Sequence, residues 1–218
     1  MRSRQLIVRA KGLLIEEHER PHEVYRVLSG WGARIKLLAN GSRQILSFDL
    51  PGDFLAPELL AGNPVRFTKV ALTQMTLCAF PRDMVAQSLA ARSQGARFLE
   101  EIWEDRVHML ERQIMMVGRM HAAARICSLL MDIHDRLVDR GLVHDQSFEF
   151  PLRHEDLADA LGLTTAHVSR TLSALRNEKL VELKGGRALL IDAPGMPLDL
   201  GQAGRGALLS ARAVGRHV

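Results

Sequence analysis

The sequence predicts an α+β fold in three parts: a small antiparallel sandwich or barrel, a long helical stretch, and a compact helical domain ending in a hairpin. Three observations support this prediction. Apolar residues alternate at a period near two through residues 5–80, between turn residues. Residues 82–140 contain no proline and only two glycines, Gly95 and Gly118. Two short helical segments and a Gly185-Gly186 turn then follow.

The composition is that of an ordered globular protein. The chain has 218 residues, is 47% hydrophobic and carries a net charge of +4, too little to indicate nucleic acid by itself. No apolar run approaches the roughly 20 residues of a membrane helix, and no signal-peptide core follows Met1, so we expect a cytoplasmic protein without membrane contact. Cys78 and Cys127 are too few for a disulfide framework or a four-thiolate metal site, and Cys78 is expected to be a buried, inert thiol.

The first part reads as short strands joined by tight turns. Asn40-Gly41 lies between two alternating runs and predicts a hairpin with a type I′ turn, which needs positive φ at both central residues. The predicted strands cover residues 6–8, 13–15, 24–28, 33–37, 44–48 and 70–80.

The middle part carries an apolar stripe at helical spacing. Its members recur every three or four residues: Leu99, Trp103, Val107, Leu110, Ile114 and Val117. Ile102, Met109, Met116 and Met120 widen the stripe beyond what a one-sided surface helix needs. The stripe could simply pack on the sheet, but its width favours pairing with the same helix of a second copy. A second helix is predicted over residues 121–140, closed by Gly141.

The last part has the spacing of a helix-turn-helix. A short strand at residues 148–150 precedes helices over 153–160 and 164–179, which Leu161-Gly162-Leu163 separates. The Thr164 hydroxyl can cap the second helix. Apolar residues facing a common core are Leu157, Ala158, Leu161, Val168, Leu172 and Leu175, and those left outward are Thr165, Ala166, Ser169, Arg170 and Ser173. Two strands around Gly185-Gly186 make the unit a winged helix-turn-helix.

Three stretches give the chain a resemblance to the CRP/FNR family of bacterial transcription regulators. They are Leu28-Ser29-Gly30-Trp31 with residues 41–54, the long helix around residues 98–120, and residues 156–172. The resemblance covers about residues 10–192. It implies a jelly-roll-like β-roll sensor domain over 1–90, a dimerisation helix over 91–120 and a winged helix-turn-helix DNA-binding domain over 121–192. Residues 193–218 form a tail in which only Ala207-Leu208-Leu209 suggests a short helix.

The effector site departs from that of the family's cyclic-nucleotide binders. Those relatives share a Gly-Glu-Leu entry and an arginine followed by a hydroxyl residue that clamps the phosphate. The matching residues here are Glu58, Leu59, Arg66 and Thr68, but Phe67 directly follows Arg66. A phosphate needs nearby N–H or O–H donors besides a guanidinium. We therefore expect an effector other than cAMP, or none.

Other sensor chemistries follow from the resemblance as alternatives. The oxygen-sensing branch carries cluster-binding cysteines before its first strand, whereas no cysteine precedes Cys78 here, so an iron–sulfur cluster is not expected. A haem- or gas-sensing regulator of this fold, or a cyclic-nucleotide-responsive one, stays open. An enzyme is not expected: His154-Glu155 begins a zinc-protease motif, but position 158 is an alanine. No catalytic residue or metal ligand is predicted.

The resemblance also implies a DNA-reading surface. Arg170 matches an arginine that contacts guanine, and Ala166 stands where the best-known relatives carry a glutamate that accepts from cytosine. Further candidate base contacts are Thr165, His167 and Ser169, and candidate phosphate contacts are Arg153, Thr164, Lys184 and Arg187. The expected partners are a second copy and double-stranded DNA with an inverted repeat. An activator would also touch RNA polymerase.

Overall fold

The computed structural model describes residues 3–91 and 94–192, so the short helix predicted around residues 207–209 lies outside it. The described strands are β1 (Arg4–Val8), β2 (Leu13–Ile15), β3 (Glu23–Ser29), β4 (Gly32–Leu37), β5 (Arg43–Asp49), β6 (Phe54–Leu55), β7 (Thr68–Ala71), β8 (Met75–Pro81), β9 (Ser147–Glu149), β10 (Val181–Lys184) and β11 (Arg187–Leu190). The helices are α1 (Arg82–Ala90), α2 (Gly95–Arg119), α3 (Ala122–Val138), α4 (His154–Leu161) and α5 (Thr165–Asn177), with a 3₁₀ turn at Pro57–Ala61.

Two four-stranded antiparallel sheets form the first domain, in the orders β1-β8-β3-β6 and β2-β7-β4-β5. The alternating pattern turns one face of each sheet inward. Val24, Val27, Leu55 and Leu77 lie in the core between them, each no more than 2% exposed. The predicted sandwich is confirmed.

The Asn40-Gly41 hairpin forms where predicted, but its turn is not type I′. Gly41 has φ +82°, whereas Asn40 does not have a positive φ. The Gly41 N–H donates to Leu38 O (2.9 Å) and the Leu38 N–H to Ser42 O (2.8 Å). This is a three-residue loop that ends on a left-handed glycine. The Asn40 side chain accepts from the Ser42 N–H (3.0 Å), which stabilises the non-I′ turn.

The expected burial of Cys78 is wrong. On β8 the buried residues are Met75, Leu77 and Ala79, so strand alternation turns Cys78 to the opposite face, where it is half-buried. Cys127 on α3 is buried, and this burial raises the pKa of its thiol to about 12. The Cys127 thiol therefore stays protonated at neutral pH.

The helical stretch of residues 82–140 is divided into three helices. The division between α1 and α2 was not predicted. Gly95 marks it: a Cβ there would lie 1.8 Å from the Leu89 carbonyl oxygen, so only glycine allows α2 to begin so close to the end of α1. The second division separates α2 from α3 at Met120 and His121, both extended.

The helix-turn-helix packs against the β-roll through a shared core. All six residues predicted to face this core are buried, Leu157, Ala158, Leu161, Val168, Leu172 and Leu175. Trp31 from the β-roll meets Phe150 edge-to-face at 6.2 Å, and Phe150 meets Phe148 at 6.1 Å. Strands β10, β11 and β9 form a small antiparallel sheet beside α5, which supplies the wing.

Candidate nucleic-acid interface and sensor cavity

Helix α5 presents a polar face to solvent because its apolar face is buried. The Thr164 hydroxyl accepts from the His167 N–H at 3.2 Å, as the sequence predicts for a cap, and fixes where the helix begins. Val168, Leu172 and Leu175 pack inward. The residues left on the outside include all five candidate base contacts, which are Thr165, Ala166, His167, Ser169 and Arg170; Ser169 alone is half-buried.

Arg170 is a cation of this face that has no partner among the described residues. It is exposed and makes no hydrogen bond or ion pair with the described residues. Two nearby hydroxyls are hydrogen-bonded within the helix. Thr171 Oγ1 donates to His167 O and Ser173 Oγ donates to Ser169 O, each at 2.9 Å. Ala166 lies one helical turn before Arg170, so the guanidinium stands beside a small apolar side chain.

The candidate phosphate contacts lie around this face. Thr164 is exposed at the start of α5, and Arg153 stands at the start of α4 with its side chain 59% exposed. Lys184 and Arg187 face each other across the wing turn. The Arg187 Nε donates to Ser147 Oγ at 3.0 Å, which steadies the wing on β9. Positive side chains are therefore carried by helix α4 and by the wing, both of which contact α5.

Sequence reasoning missed an ionic contact between the β-roll and α4. Arg43 on β5 reaches Asp156 (2.6 Å) and Asp159 (2.5 Å) of α4, and Gln44 Nε2 donates to Asp159 O at 2.6 Å. Asp156 also accepts from the Arg153 N–H at 2.9 Å, so one carboxylate both caps α4 and binds the β-roll. No sequence signal could pair residues more than a hundred positions apart.

A cavity of about 860 Å³ lies between the β-roll, α2 and α3. None of the four predicted effector residues is among its described lining. Glu58 is buried, and its Oε2 accepts from Arg106 Nη1 of α2 at 3.0 Å. Leu59 lies in the sandwich core, Arg66 is exposed, and Thr68 Oγ1 accepts from the Glu17 N–H at 3.3 Å. The four residues therefore do not share this cavity.

Cations that the sequence analysis did not select lie inside the β-roll instead. Lys69 is fully buried and its Nζ donates to Asp49 Oδ1 at 2.7 Å. Burial lowers the pKa of Lys69, and Asp49 opposes this. Arg34 lines the cavity with its guanidinium 4.8 Å from the Phe67 ring centroid. Arg34 Nε and Asp49 Oδ2 are buried without a hydrogen-bond partner among the described residues. Alternation marks strand faces but not which polar residue is buried, so no signal identified this cluster.

Helix α2 has two apolar faces. The inner face buries Met116, with Ile102 and Met109 half-buried, and Met120 directly after the helix is buried as well. The outer face leaves Trp103, Val107, Leu110, Ile114 and Val117 exposed, Ile114 at 72%, while Leu99 near the start of the helix is half-buried. Spacings of four, three, four and three residues form a heptad seam on the outer face. Contiguous exposed apolar side chains of this kind mark an association surface.

Membrane spans and metal sites are two further possibilities for residues 3–91 and 94–192. None of the helices there is long and apolar enough to cross a membrane. No group of three or more histidine, cysteine or carboxylate side chains in the same residues could hold a metal ion.

Comparison with known proteins places these features in a family. Residues 6–92 match the cyclic nucleotide-binding domain and residues 124–196 the Crp-like helix-turn-helix domain. The transcriptional activatory protein AadR of Rhodopseudomonas palustris is 32% identical over 171 residues, 78% of this chain and 70% of AadR. The nitrogen fixation regulation protein FixK of Bradyrhizobium diazoefficiens is 32% identical over 167 residues, 76% of this chain and 69% of FixK.

A solved structure agrees over nearly the whole chain. FixK2 from Bradyrhizobium japonicum superposes with a TM-score of 0.81 and 26% identity, covering 92% of this chain and 99% of FixK2. The match spans the β-roll, the long helix and the winged helix-turn-helix together. On these grounds the chain is a DNA-binding transcription regulator and belongs to the CRP/FNR family.

Proposed function

We propose that the protein is a homodimeric cytoplasmic activator of transcription that reads an inverted repeat in double-stranded DNA through α5. The observation that carries this proposal is the exposed face of α5, on which Arg170 has no partner among the described residues. A helix capped at its first turn and buried on one side can enter the major groove with its amino-terminal residues against the bases.

The base contacts follow from the chemistry of each side chain. Arg170 donates two hydrogen bonds to O6 and N7 of a guanine, and Ala166 offers only a methyl group to thymine. Thr165, His167 and Ser169 are further contacts, while Arg153, Thr164, Lys184 and Arg187 hold phosphates without reading sequence. The half-site therefore differs from that of relatives with a glutamate at the position of Ala166.

Dimerisation supplies the second half-site. A second copy covers the outer face of α2 from Trp103 to Val117, and Leu99 extends this interface toward the start of the helix. The two α5 helices then lie about 34 Å apart, one turn of DNA. Binding both half-sites at once compensates for the modest net charge of +4.

Regulation through the β-roll does not use cAMP. The Glu58 carboxylate, which would hold a ribose hydroxyl, is engaged by Arg106. Arg66 is exposed, is not among the residues that line the cavity, and is directly followed by Phe67 and not by a hydroxyl residue. Contact with RNA polymerase is part of the proposal because AadR is named a transcriptional activatory protein.

Selection from a random duplex pool tests the proposal. The purified protein should enrich a palindrome with half-sites one helical turn apart, and millimolar cAMP should not change its affinity. Failure to retain any duplex at low salt would contradict DNA reading, since phosphate contacts are strongest there. An affinity that rises with cAMP would contradict the effector proposal alone.

A further inference from the structure

The connection between α2 and the helix-turn-helix does not continue as a helix. Helix α2 ends at Arg119 and α3 begins at Ala122, with Met120 (φ −88°, ψ 143°) and His121 (φ −74°, ψ 166°) extended between them. Two extended residues leave the angle between the helices to be set by contacts other than helical hydrogen bonds. Arg112 of α2 binds Asp132 of α3 at 2.8 Å, and Met116, Met120 and Ala124 bury one another. Arg125 adds contacts that reach α2 and α4 at once.

Arg125 lies in the first turn of α3 and binds three carbonyl oxygens from two helix ends. Its Nε donates to Met120 O (2.8 Å) and its Nη2 to Val117 O (2.9 Å), both at the end of α2. Its Nη1 donates to Leu161 O (3.0 Å), the last residue of α4. The side chain is half-buried. One guanidinium therefore joins the ends of α2 and α4.

These carbonyls are groups that need an external donor. The last four carbonyls of a helix have no partner within it, and each helix carries a partial negative charge at its carboxyl end. Two such ends converge on Arg125, so each of the two helix ends favours a cation at this position. A guanidinium presents donors in several fixed directions, whereas an ammonium is a compact point charge that cannot span the three oxygens equally.

We propose that Arg125 is a positioning residue for the angle between the dimer helix α2 and the DNA-reading unit α4–α5. The inference rests on the proposed function, in which α2 pairs with its copy and α5 reads DNA. Because α4 and α5 share a buried core, orienting α4 orients α5. Arg125 itself touches no base. It sets the distance between the two recognition helices of a dimer, and thus the half-site spacing that the protein accepts.

The test measures spacing discrimination, which a general loss of stability would not change. The probes are the palindrome selected by the unaltered protein, the same palindrome with one base pair added to or removed from its centre, and a duplex with a single half-site. Arg125→Ala should lower the preference for the selected spacing about tenfold while single half-site affinity stays within about twofold. Arg125→Lys should fall between the two proteins.

The matched control is Arg119→Ala, which also removes one positive charge near the carboxyl end of α2. Arg119 is exposed and makes no hydrogen bond or ion pair with the described residues. The Arg119→Ala protein should therefore show the same spacing preference as the unaltered protein. Unchanged discrimination in Arg125→Ala, or an equal loss on the single half-site, would overturn the proposal. If the alanine variant does not fold, Arg125→Lys with unchanged discrimination would overturn it. If the unaltered protein enriches no duplex, the proposed function fails instead.

Discussion

At the scale of single residues, the reading surface proposed for α5 depends on which side chains have no partner inside the protein. Arg170 and Arg176 lie on the same helix, less than two turns apart. They differ in whether the side chain has a hydrogen-bond partner inside the protein. Arg176 Nε donates back to Leu172 O at 3.2 Å, whereas Arg170 makes no such bond among the described residues. The two arginines carry the same charge, so comparing them separates base reading from general attraction to phosphate.

Replacing Arg170 by alanine should abolish preference at one base pair. The loss should be roughly 1–3 kcal/mol for the preferred base because a bidentate contact to guanine disappears. Arg176→Ala should weaken binding about equally for all sequences. Selection of duplexes by each variant measures both effects. A motif for Arg170→Ala that still demands the same base would show that another side chain reads it.

At the scale of elements, the two faces of α2 differ in how they pack. Its inner face is buried at Met116, and its outer face, from Trp103 to Val117, stays exposed. The sequence indicates both faces, because the apolar stripe of α2 has more positions than one face needs. Which face stays free is visible only once the inner one is packed.

Introducing a charge on the outer face should break the proposed dimer. Ile114→Glu would bury an unpaired carboxylate, at a cost of roughly 3 kcal/mol or more for each copy, and should weaken dimerisation more than about 100-fold. Arg119→Glu is the control, because Arg119 is exposed on another side of the same helix and makes no hydrogen bond or ion pair with the described residues. Sedimentation at micromolar concentration measures the mass. A dimeric Ile114→Glu protein would rule out this seam as the interface.

At the scale of the whole molecule, ion pairs join the β-roll to the carboxyl-terminal domain. Asp53, in the turn after β5, binds Arg136 (2.6 Å) and Arg140 (2.5 Å) of α3 and its neighbourhood, and Arg43 binds Asp156 and Asp159 of α4. Burial alone would raise the pKa of the Asp53 carboxyl, but Arg136, Arg140 and the Leu50 N–H lower it below its ordinary value. The pairs therefore stabilise the folded arrangement only while Asp53 is ionised.

Asp53→Asn should destabilise the protein in a pH-dependent way. A lowered pKa in the folded state stabilises it fully above the unfolded value of about 3.9, and the effect is lost as pH falls through the folded pKa. At neutral pH the loss should be roughly 2–3 kcal/mol, below the range for fully buried pairs because these side chains are partly exposed. Thermal midpoints of the two proteins should therefore converge in acid.

Asp139→Asn is the matched control for this comparison. Asp139 follows the last residue of α3, is exposed and makes no ion pair among residues 3–91 and 94–192. Its thermal midpoint should follow that of the unaltered protein at every pH. A difference between Asp53→Asn and the unaltered protein that stays constant from neutral pH to pH 2 would contradict an ionised Asp53 as the source.

Local patterns determined much of this protein from its sequence alone. Strand alternation, the heptad-like stripe and the spacing around Leu161-Gly162-Leu163 specify the elements, the buried face of the helix-turn-helix and the cap at Thr164, because each depends on residues within a few turns. The turn at Asn40-Gly41 was placed correctly but typed wrongly, since its hydrogen bonds extend to Leu38 and Ser42 and not to the two turn residues alone.

Only the tertiary structure decided which charges meet. The pairs Arg43–Asp156, Lys69–Asp49 and Arg106–Glu58 join residues between 20 and 113 positions apart. Nothing local distinguishes Lys69 from a surface lysine on a half-exposed strand, and burial places it against Asp49. Likewise, Arg125 looks like any helical arginine until two helix ends converge on it. Sequence periodicity determines which face of an element is apolar, whereas electrostatic partners depend on how distant elements are brought together.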